Sequence, residues 1–134
     1  MTQELTKSKE RVKRLGEVYT PKSLVLKMLR QIPPEIWSDP TKTFLDNSCG
    51  NGNFLVEIIK LKIKMGSSPI QALSSCFGVD IMSDNIEECK ERLLLAVEKT
   101  SGLKREQQWN DIVNRNIVCH DALTYNYEFD GSLT

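Results

Sequence analysis

The chain has 134 residues, of which 40% are hydrophobic and 27% are charged, a size and composition typical of one folded domain with a modest core. These proportions exclude a disordered chain, and no run of apolar residues is long enough to span a membrane. The first seventeen residues carry five basic side chains where a signal peptide needs an apolar stretch, so we expect a cytoplasmic location.

The cysteines and the charged residues set further bounds. No two cysteines are close enough in sequence for a typical zinc site, and a cytoplasmic location argues against disulfides, so we expect reduced thiols at Cys49, Cys76, Cys89 and Cys119. The chain has 18 basic and 18 acidic residues, but residues 1–67 carry a net charge of +5 and residues 68–134 one of −5. This asymmetry is typical of a nucleic-acid-binding face on the first half, and equally of charges scattered over solvated helices.

Two helical segments are predicted before the first strand. Apolar residues are sparse among the charges of residues 1–15, which indicates an exposed helical arm. Within residues 24–29 the apolar positions recur at helical spacing. Pro21 suits the start of this second helix, and Pro33-Pro34 should end the run.

The rest of the chain alternates strands with helices. The predicted order is a strand at Thr43–Asp46, a helix from Phe54, a short helix at Pro69–Ser75, a strand at Cys76–Asp80, a helix at Ser83–Thr100, a polar stretch compatible with a helix from Leu103 to Asn114, and a strand at Asn116–Cys119. Ser83 or Asp84 can cap the long helix, and Gly102 can end it. Strands separated by helices imply a parallel sheet with right-handed crossovers. We therefore predict a Rossmann-like α/β half-domain, βαβαβ, over residues 16–134.

Acidic residues follow all three predicted strands: Asp46, Asp80 and, two residues past the third strand, Asp121. Ligands of open parallel sheets bind beyond the carboxyl ends of the strands, so these residues should form a ridge of acceptors for a donor-rich ligand. Asp80 is placed to accept both hydroxyls of a ribose, and Ile81 beside it can lie on an adenine ring. We therefore expect a ligand that contains adenosine.

A glycine loop narrows the choice of nucleotide. Gly50-Asn51-Gly52 lets a ligand approach the backbone closely, because a Cβ at either glycine would intrude or forbid the required φ. The dinucleotide fingerprint G-x-G-x-x-G fails, since Leu55 stands at the third glycine position, and no phosphate-binding P-loop motif occurs. Taken alone, the glycine pair is also compatible with an ordinary turn that binds no ligand.

Four segments of the chain together carry a family pattern. They are Gly16-Glu17-Val18-Tyr19-Thr20-Pro21, Phe44-Leu45-Asp46-Asn47-Ser48-Cys49-Gly50-Asn51-Gly52-Asn53-Phe54-Leu55, Phe77-Gly78-Val79-Asp80-Ile81 and Val118-Cys119-His120-Asp121-Ala122-Leu123. In this order they resemble the S-adenosylmethionine-binding motifs of DNA adenine-N6 methyltransferases, as in type I modification subunits and related type II enzymes of restriction–modification systems. One departure is Asn47-Ser48, where the family usually has Pro-Ala; it adds polarity to the loop without blocking the cofactor.

The resemblance implies S-adenosylmethionine as the cofactor and a set of contacts to each of its parts. Tyr19, Thr20 and Pro21 would close over the methionine end. Asp46 and the Gly50–Gly52 loop would hold the amino acid moiety, together with the neighbouring Ser48, Cys49, Asn53 and Phe54. Asp80 and Ile81 would hold ribose and adenine, and Asp121 would accept from the adenine amino group, with Ala122 and Leu123 nearby.

The resemblance also implies a catalytic motif that this sequence does not contain. In the family this motif is Asp or Asn, followed by two prolines and an aromatic residue. The polar side chain and a prolyl backbone carbonyl accept hydrogen bonds from the target amino group, and the aromatic ring stacks on the flipped base. The only double proline here, Pro33-Pro34, is flanked by Ile32 and Glu35. We therefore expect no catalytic residue in this chain and no methyl transfer by the chain alone.

The sequence is compatible with three functions. The first is the cofactor-binding portion of an adenine-specific DNA methyltransferase, the second a stand-alone cofactor-binding regulatory module or split-enzyme subunit, and the third a generic nucleotide-binding domain. DNA would be reached through a partner or a further part, and no membrane contact is expected. In the resembled fold a fourth strand lies beside the first, so the edge of Thr43–Asp46 should be covered by a second copy of the chain, by the arm, or by a catalytic partner subunit.

Several residues have a structural interpretation that we favour over a functional one. We expect His120 to be a strand-end residue and Cys49 to be a small residue filling the turn, rather than a catalytic base and a nucleophile. Trp37 and Trp109 should cover the edge of the core rather than stack on bases. The basic cluster at residues 7–14 can contact phosphate, although acidic neighbours dilute it.

Overall fold

Three short parallel strands and six helices make up residues 20–129, the part of the chain that the computed structural model describes. In chain order the elements are α1 (Lys22–Leu29), α2 (Pro34–Ser38), β1 (Phe44–Asp46), α3 (Asn53–Lys64), α4 (Pro69–Ser74), β2 (Cys76–Asp80), α5 (Ser83–Ser101), α6 (Gln107–Asn116) and β3 (Ile117–Cys119). The predicted arm, the basic cluster and Tyr19 lie outside these residues. No helix among residues 20–129 has the length and apolar character needed to cross a membrane.

The sheet has the order β1-β2-β3, and both neighbouring pairs are parallel. Phe44 pairs with Cys76 in the first pair, and Val79 pairs with Val118 in the second. Each connection between strands contains helices, as parallel pairing requires. The prediction of a Rossmann-like α/β half-domain is confirmed.

The core lies where α3 and α5 pack against each other and against β2. The apolar residues of these helices recur every three or four positions, and Leu55, Ile59, Leu93 and Val97 are buried as a result. Gly78 of β2 allows this close packing, since a Cβ there would lie 2.9 Å from Leu55 Cδ1. The two helices therefore hold the carboxyl end of β2 in a defined position relative to the loop before α3.

Two prolines end α1 and also begin α2, a short helix that the sequence prediction missed. Pro34 occupies the first turn of α2, where its missing N–H is no loss. The helix buries Trp37, whose ring stacks on Phe44 with centroids 5.1 Å apart. Trp37 therefore covers the beginning of β1, as expected, and Trp109 is buried in the core as well.

Lys62 of α3 is fully buried beside the same strand. Its Nζ donates to the Lys42 carbonyl at 2.6 Å and lies 5.3 Å from the centroid of the Phe44 ring. Burial lowers the pKa of Lys62, and the neighbouring Cys76 and Asp39 oppose that shift. The contacts of Lys62 hold the amino end of β1, away from the candidate site.

The observed bounds of α5 and α6 agree with the sequence prediction in one respect and differ from it in two. Gly102 ends α5 with a φ of 73°, as predicted. The predicted cap by Ser83 or Asp84 is wrong, because the capping position is Met82, whose side chain makes no capping hydrogen bond. The helix in the polar stretch begins at Gln107 and continues to Asn116, so that β3 begins at Ile117.

After β3 the chain folds back as an aromatic segment, residues 120–129. His120 stacks on Tyr125 with ring centroids 4.5 Å apart, and Phe129 packs on Phe77 of β2 at 4.9 Å. The Tyr125 hydroxyl accepts from the Phe129 N–H at 2.9 Å, which closes the segment. His120 is thus a packed strand-end residue, as the sequence indicated.

Candidate functional site

The carboxyl ends of β1 and β2 bring Asp46 and Asp80 to the same edge of the sheet. Burial and the like charge of Asp80 raise the pKa of Asp46, although the Ser48 N–H, which donates to Asp46 Oδ1 at 3.1 Å, acts against this. Two adjacent carboxylates in a partly buried position repel each other. A ligand with a positive charge would relieve that repulsion.

The loop between β1 and α3 is a tight turn that favours glycine at two of its positions. Gly50 has a φ of 53° and Gly52 a φ of 94°, both in the region that L side chains disfavour. The Gly52 N–H donates to the Cys49 carbonyl at 2.9 Å. A Cβ on Gly52 would lie 2.8 Å from Cys89 Sγ of α5, so packing as well as backbone conformation requires glycine here.

Cys49 is buried beneath this loop and has a packing role. Its N–H donates to the Val79 carbonyl at 3.0 Å, and its side chain lies against Gly78, where a Cβ would be 3.0 Å from Cys49 Sγ. A hydrogen bond with the Cys89 thiol, together with burial, raises the pKa of Cys49. A protonated, buried thiol is a poor nucleophile, in agreement with the expectation that Cys49 fills the turn.

A cleft of about 260 Å³ opens at this edge of the sheet. It is lined by Thr20, Asp46, Ser48, Cys49, Gly50, Asn51, Asn53 and Phe54. Seven of these were predicted individually as cofactor contacts, and Asn51 belongs to the predicted Gly50–Gly52 loop. Thr20 is held beside the loop because Asn53 Nδ2 donates to its carbonyl at 2.9 Å, whereas Pro21 is exposed at the start of α1.

Asp80 uses much of its hydrogen-bonding capacity within the protein. Oδ2 accepts from the Met82 N–H and from Asn85 Nδ2, both at 3.1 Å, and Oδ1 accepts a longer bond of 3.4 Å from the Gly50 N–H. A carboxylate oxygen has two lone pairs. Asp80 therefore braces both the glycine loop and the start of α5, and among residues 20–129 no second donor reaches Oδ1, which leaves one lone pair for a ligand hydroxyl.

The remaining predicted contacts lie at the same end of the sheet but do not line the cleft. The His120 N–H donates to the Asp80 carbonyl at 3.0 Å, which places the end of β3 beside β2. Asp121 Oδ1 accepts from the Leu123 N–H at 2.9 Å within an exposed turn that includes Ala122. Ile81 and Leu123 are exposed, Leu123 to 94%. Asp46 and Asp80 therefore lie close to each other at this end of the sheet, whereas Asp121 lies farther out, in the exposed turn.

Polar residues of α5 that the prediction did not include hold the loop from behind. Glu88 Oε2 accepts from Asn51 Nδ2 at 3.0 Å, and Arg92 Nη1 donates to the Asn51 carbonyl at 2.9 Å. Asn51 is buried, and its Oδ1 has no hydrogen-bond partner among the described residues. The one signal in the sequence is that Glu88 and Arg92 are a helical turn apart beside buried positions, which does not reveal their partners.

Comparison with known proteins places the chain in a family. The N-6 DNA methylase family model matches residues 4–118, well over half of the chain. No curated protein and no solved structure matches the chain significantly. The fold and the glycine loop at the carboxyl end of β1 agree with the family match, and the chain belongs to the N-6 DNA methylase family.

Proposed function

We propose that the chain binds S-adenosylmethionine as the cofactor-binding part of an adenine-specific DNA methyltransferase. The observation that carries this proposal is the cleft in which the Asp46 carboxylate, the glycine loop and Thr20 meet. These groups come from two segments distant in the sequence, and they meet in a member of a DNA-methylating family. A turn that only connected β1 to α3 would not need Thr20 beside it.

The chemistry of the cleft fits this cofactor. S-adenosylmethionine carries a positively charged ammonium and a sulfonium, and the adjacent Asp46 and Asp80 would be relieved of their mutual repulsion by such charges. Gly50 and Thr20 would bound the amino acid moiety. Asp80 does not line the cleft itself, but it is bonded to Gly50, which does, and its Oδ1 would accept one ribose hydroxyl. When bound, the cofactor supplies an activated methyl group. The chain's own residues bind and orient it.

We further propose that this chain does not transfer the methyl group by itself. Transfer to adenine needs acceptors placed against the target amino group, and the family motif that supplies them does not occur among the 134 residues. DNA would then be bound through a partner or a further part of the enzyme. A regulatory module or a split-enzyme subunit would use the same cleft.

Calorimetric titration tests the cofactor assignment. Wild-type protein should bind S-adenosylmethionine and S-adenosylhomocysteine but not NAD. Asp80→Asn, which keeps one acceptor oxygen and loses the charge, should weaken binding about tenfold, the usual effect of losing one hydrogen bond to a charged group. The matched control is Asp111→Asn on the exposed surface of α6, which should leave the affinity unchanged.

Two outcomes would overturn the proposal. One is wild-type protein that fails to bind S-adenosylmethionine while folded. The other is Asp80→Asn with wild-type affinity, which would remove the ribose assignment. Binding of NAD as tight as that of S-adenosylmethionine would instead favour a generic nucleotide-binding domain.

A further inference from the structure

Arg92 connects the two segments that form the cleft, although it does not line the cleft itself. From the middle of α5 its Nη1 donates to the Asn51 carbonyl at 2.9 Å and to Asn53 Oδ1 at 2.8 Å. Asn53 Nδ2 then donates to the Thr20 carbonyl at 2.9 Å. A single guanidinium nitrogen therefore holds the glycine loop directly and the Thr20 segment through one intervening side chain.

Stabilisation of α3 does not explain this position of a cation. The amino end of a helix carries a partial positive charge, so a guanidinium placed there is unfavourable for the helix itself. Asn53 is the first residue of α3, and Asn51 lies two residues before it. The bonds of Arg92 are directed at a loop carbonyl and at the side chain that reaches Thr20, which is what a group that aligns two segments should contact.

We propose that Arg92 is a positioning residue for the cofactor cleft, setting the distance between the glycine loop and the Thr20 segment. The inference rests on the proposed cofactor function. Because these two segments surround the amino acid moiety, loss of Arg92 should affect that end of the ligand. The adenosine end depends on Asp80, which braces the loop from its other side through the Gly50 N–H.

The test compares two ligands across three variants. Arg92→Met should weaken binding of S-adenosylhomocysteine about tenfold, as expected when charged hydrogen bonds are lost, and should leave the affinity for adenosine unchanged. Arg92→Lys should recover part of the loss, since an ammonium on a shorter side chain can still donate to one of the two acceptors. Lys99→Met is the control. Arg92 and Lys99 both line a groove between α3 and α5, Lys99 two helical turns further along α5, and among residues 20–129 Lys99 makes no bond to the loop.

Hydrogen exchange of the ligand-free protein supplies a readout that does not depend on the cofactor. The Gly52 N–H, bonded to the Cys49 carbonyl, should exchange about tenfold faster in Arg92→Met, while amides in the middle of α5 keep their wild-type rates. If Arg92→Met does not fold, Arg92→Lys should show smaller changes in the same direction.

The outcomes separate this inference from the proposed function. Equal weakening for adenosine and S-adenosylhomocysteine, or unchanged affinity for both, would overturn a positioning role. Unchanged Gly52 exchange would do the same. A wild-type protein that binds neither ligand would defeat the proposed function, and the exchange rates would then decide on their own whether Arg92 holds the loop.

Discussion

Replacing Gly52 by alanine applies two separate penalties at the start of α3. The φ of Gly52 is 94°, a conformation that costs an L-residue about 1–2 kcal/mol relative to glycine. The new Cβ would also lie 2.8 Å from Cys89 Sγ, and displacing buried atoms of α5 adds about 1–3 kcal/mol. We expect Gly52→Ala to lower the free energy of unfolding by about 2–5 kcal/mol, a large share of what a small domain has.

Two further substitutions separate these penalties. Gly102 has a φ of 73°, and a Cβ added there would have no heavy atom within 4 Å, so Gly102→Ala should cost only the backbone strain of about 1–2 kcal/mol. Replacing Cys89 by alanine removes the sulfur that the new methyl group meets. In a Cys89→Ala background, Gly52→Ala should therefore cost about 1–3 kcal/mol less than in the wild type.

Urea unfolding, followed by the fluorescence of the buried Trp37 and Trp109, measures the free energy of unfolding of each variant. Equal losses for Gly52→Ala and Gly102→Ala would show that packing against α5 adds nothing. A coupling energy of zero between Gly52→Ala and Cys89→Ala would likewise refute the argument that Cys89 lies too close for a side chain. Either result would remove the steric reason for glycine at this position.

Three other predictions concern the charge of Asp46, the lack of methyl transfer and the unpaired side of β1. Because the pKa of Asp46 is raised above its usual 3.8, the folded state loses stability relative to the unfolded state as pH rises through that pKa, so Asp46→Asn should stabilise the fold at neutral pH while weakening S-adenosylmethionine binding. Urea midpoints and titrations check both, and a destabilised Asn variant would contradict the argument. The purified chain should transfer no radiolabelled methyl group to adenine-containing duplex DNA, and transfer above a no-protein blank that Asp80→Asn reduces would show the chain to be catalytic. Among residues 20–129, β1 pairs only with β2, and Leu45 is 54% exposed, so we expect the free edge of β1 to pair with a second copy of the chain. Light scattering across a concentration series should show a dimer that Leu45→Lys disrupts; a strictly monomeric protein with rapid exchange of the Leu45 amide would contradict this.

Much of the fold followed from local patterns. The spacing of apolar residues located α3 and α5, because a helix buries one face and so repeats every three or four residues. The strand Cys76–Asp80 was predicted with the observed bounds. Gly102 was predicted to stop α5, and it does, although the last helical residue is Ser101 rather than Thr100. The glycine loop could also be predicted from the sequence, because the backbone conformations that favour Gly50 and Gly52 are local properties of the loop. α2 was missed because Pro33-Pro34 was interpreted only as the end of a helix, although Pro34 also suits the start of one.

The sequence by itself determined the order of the strands and of the helices between them, the loop at the carboxyl end of β1, and the set of acids that follow the strands. Only the tertiary structure decided which of these groups meet. Arg92 contacts residues 39 and 41 positions earlier in the chain, and the partners of Asp80 include Gly50, 30 positions earlier. Such pairs are set by how α5 packs against α3 and β2. Local sequence patterns report which face of a helix is buried, and they do not report which polar group of a neighbouring element that face will meet.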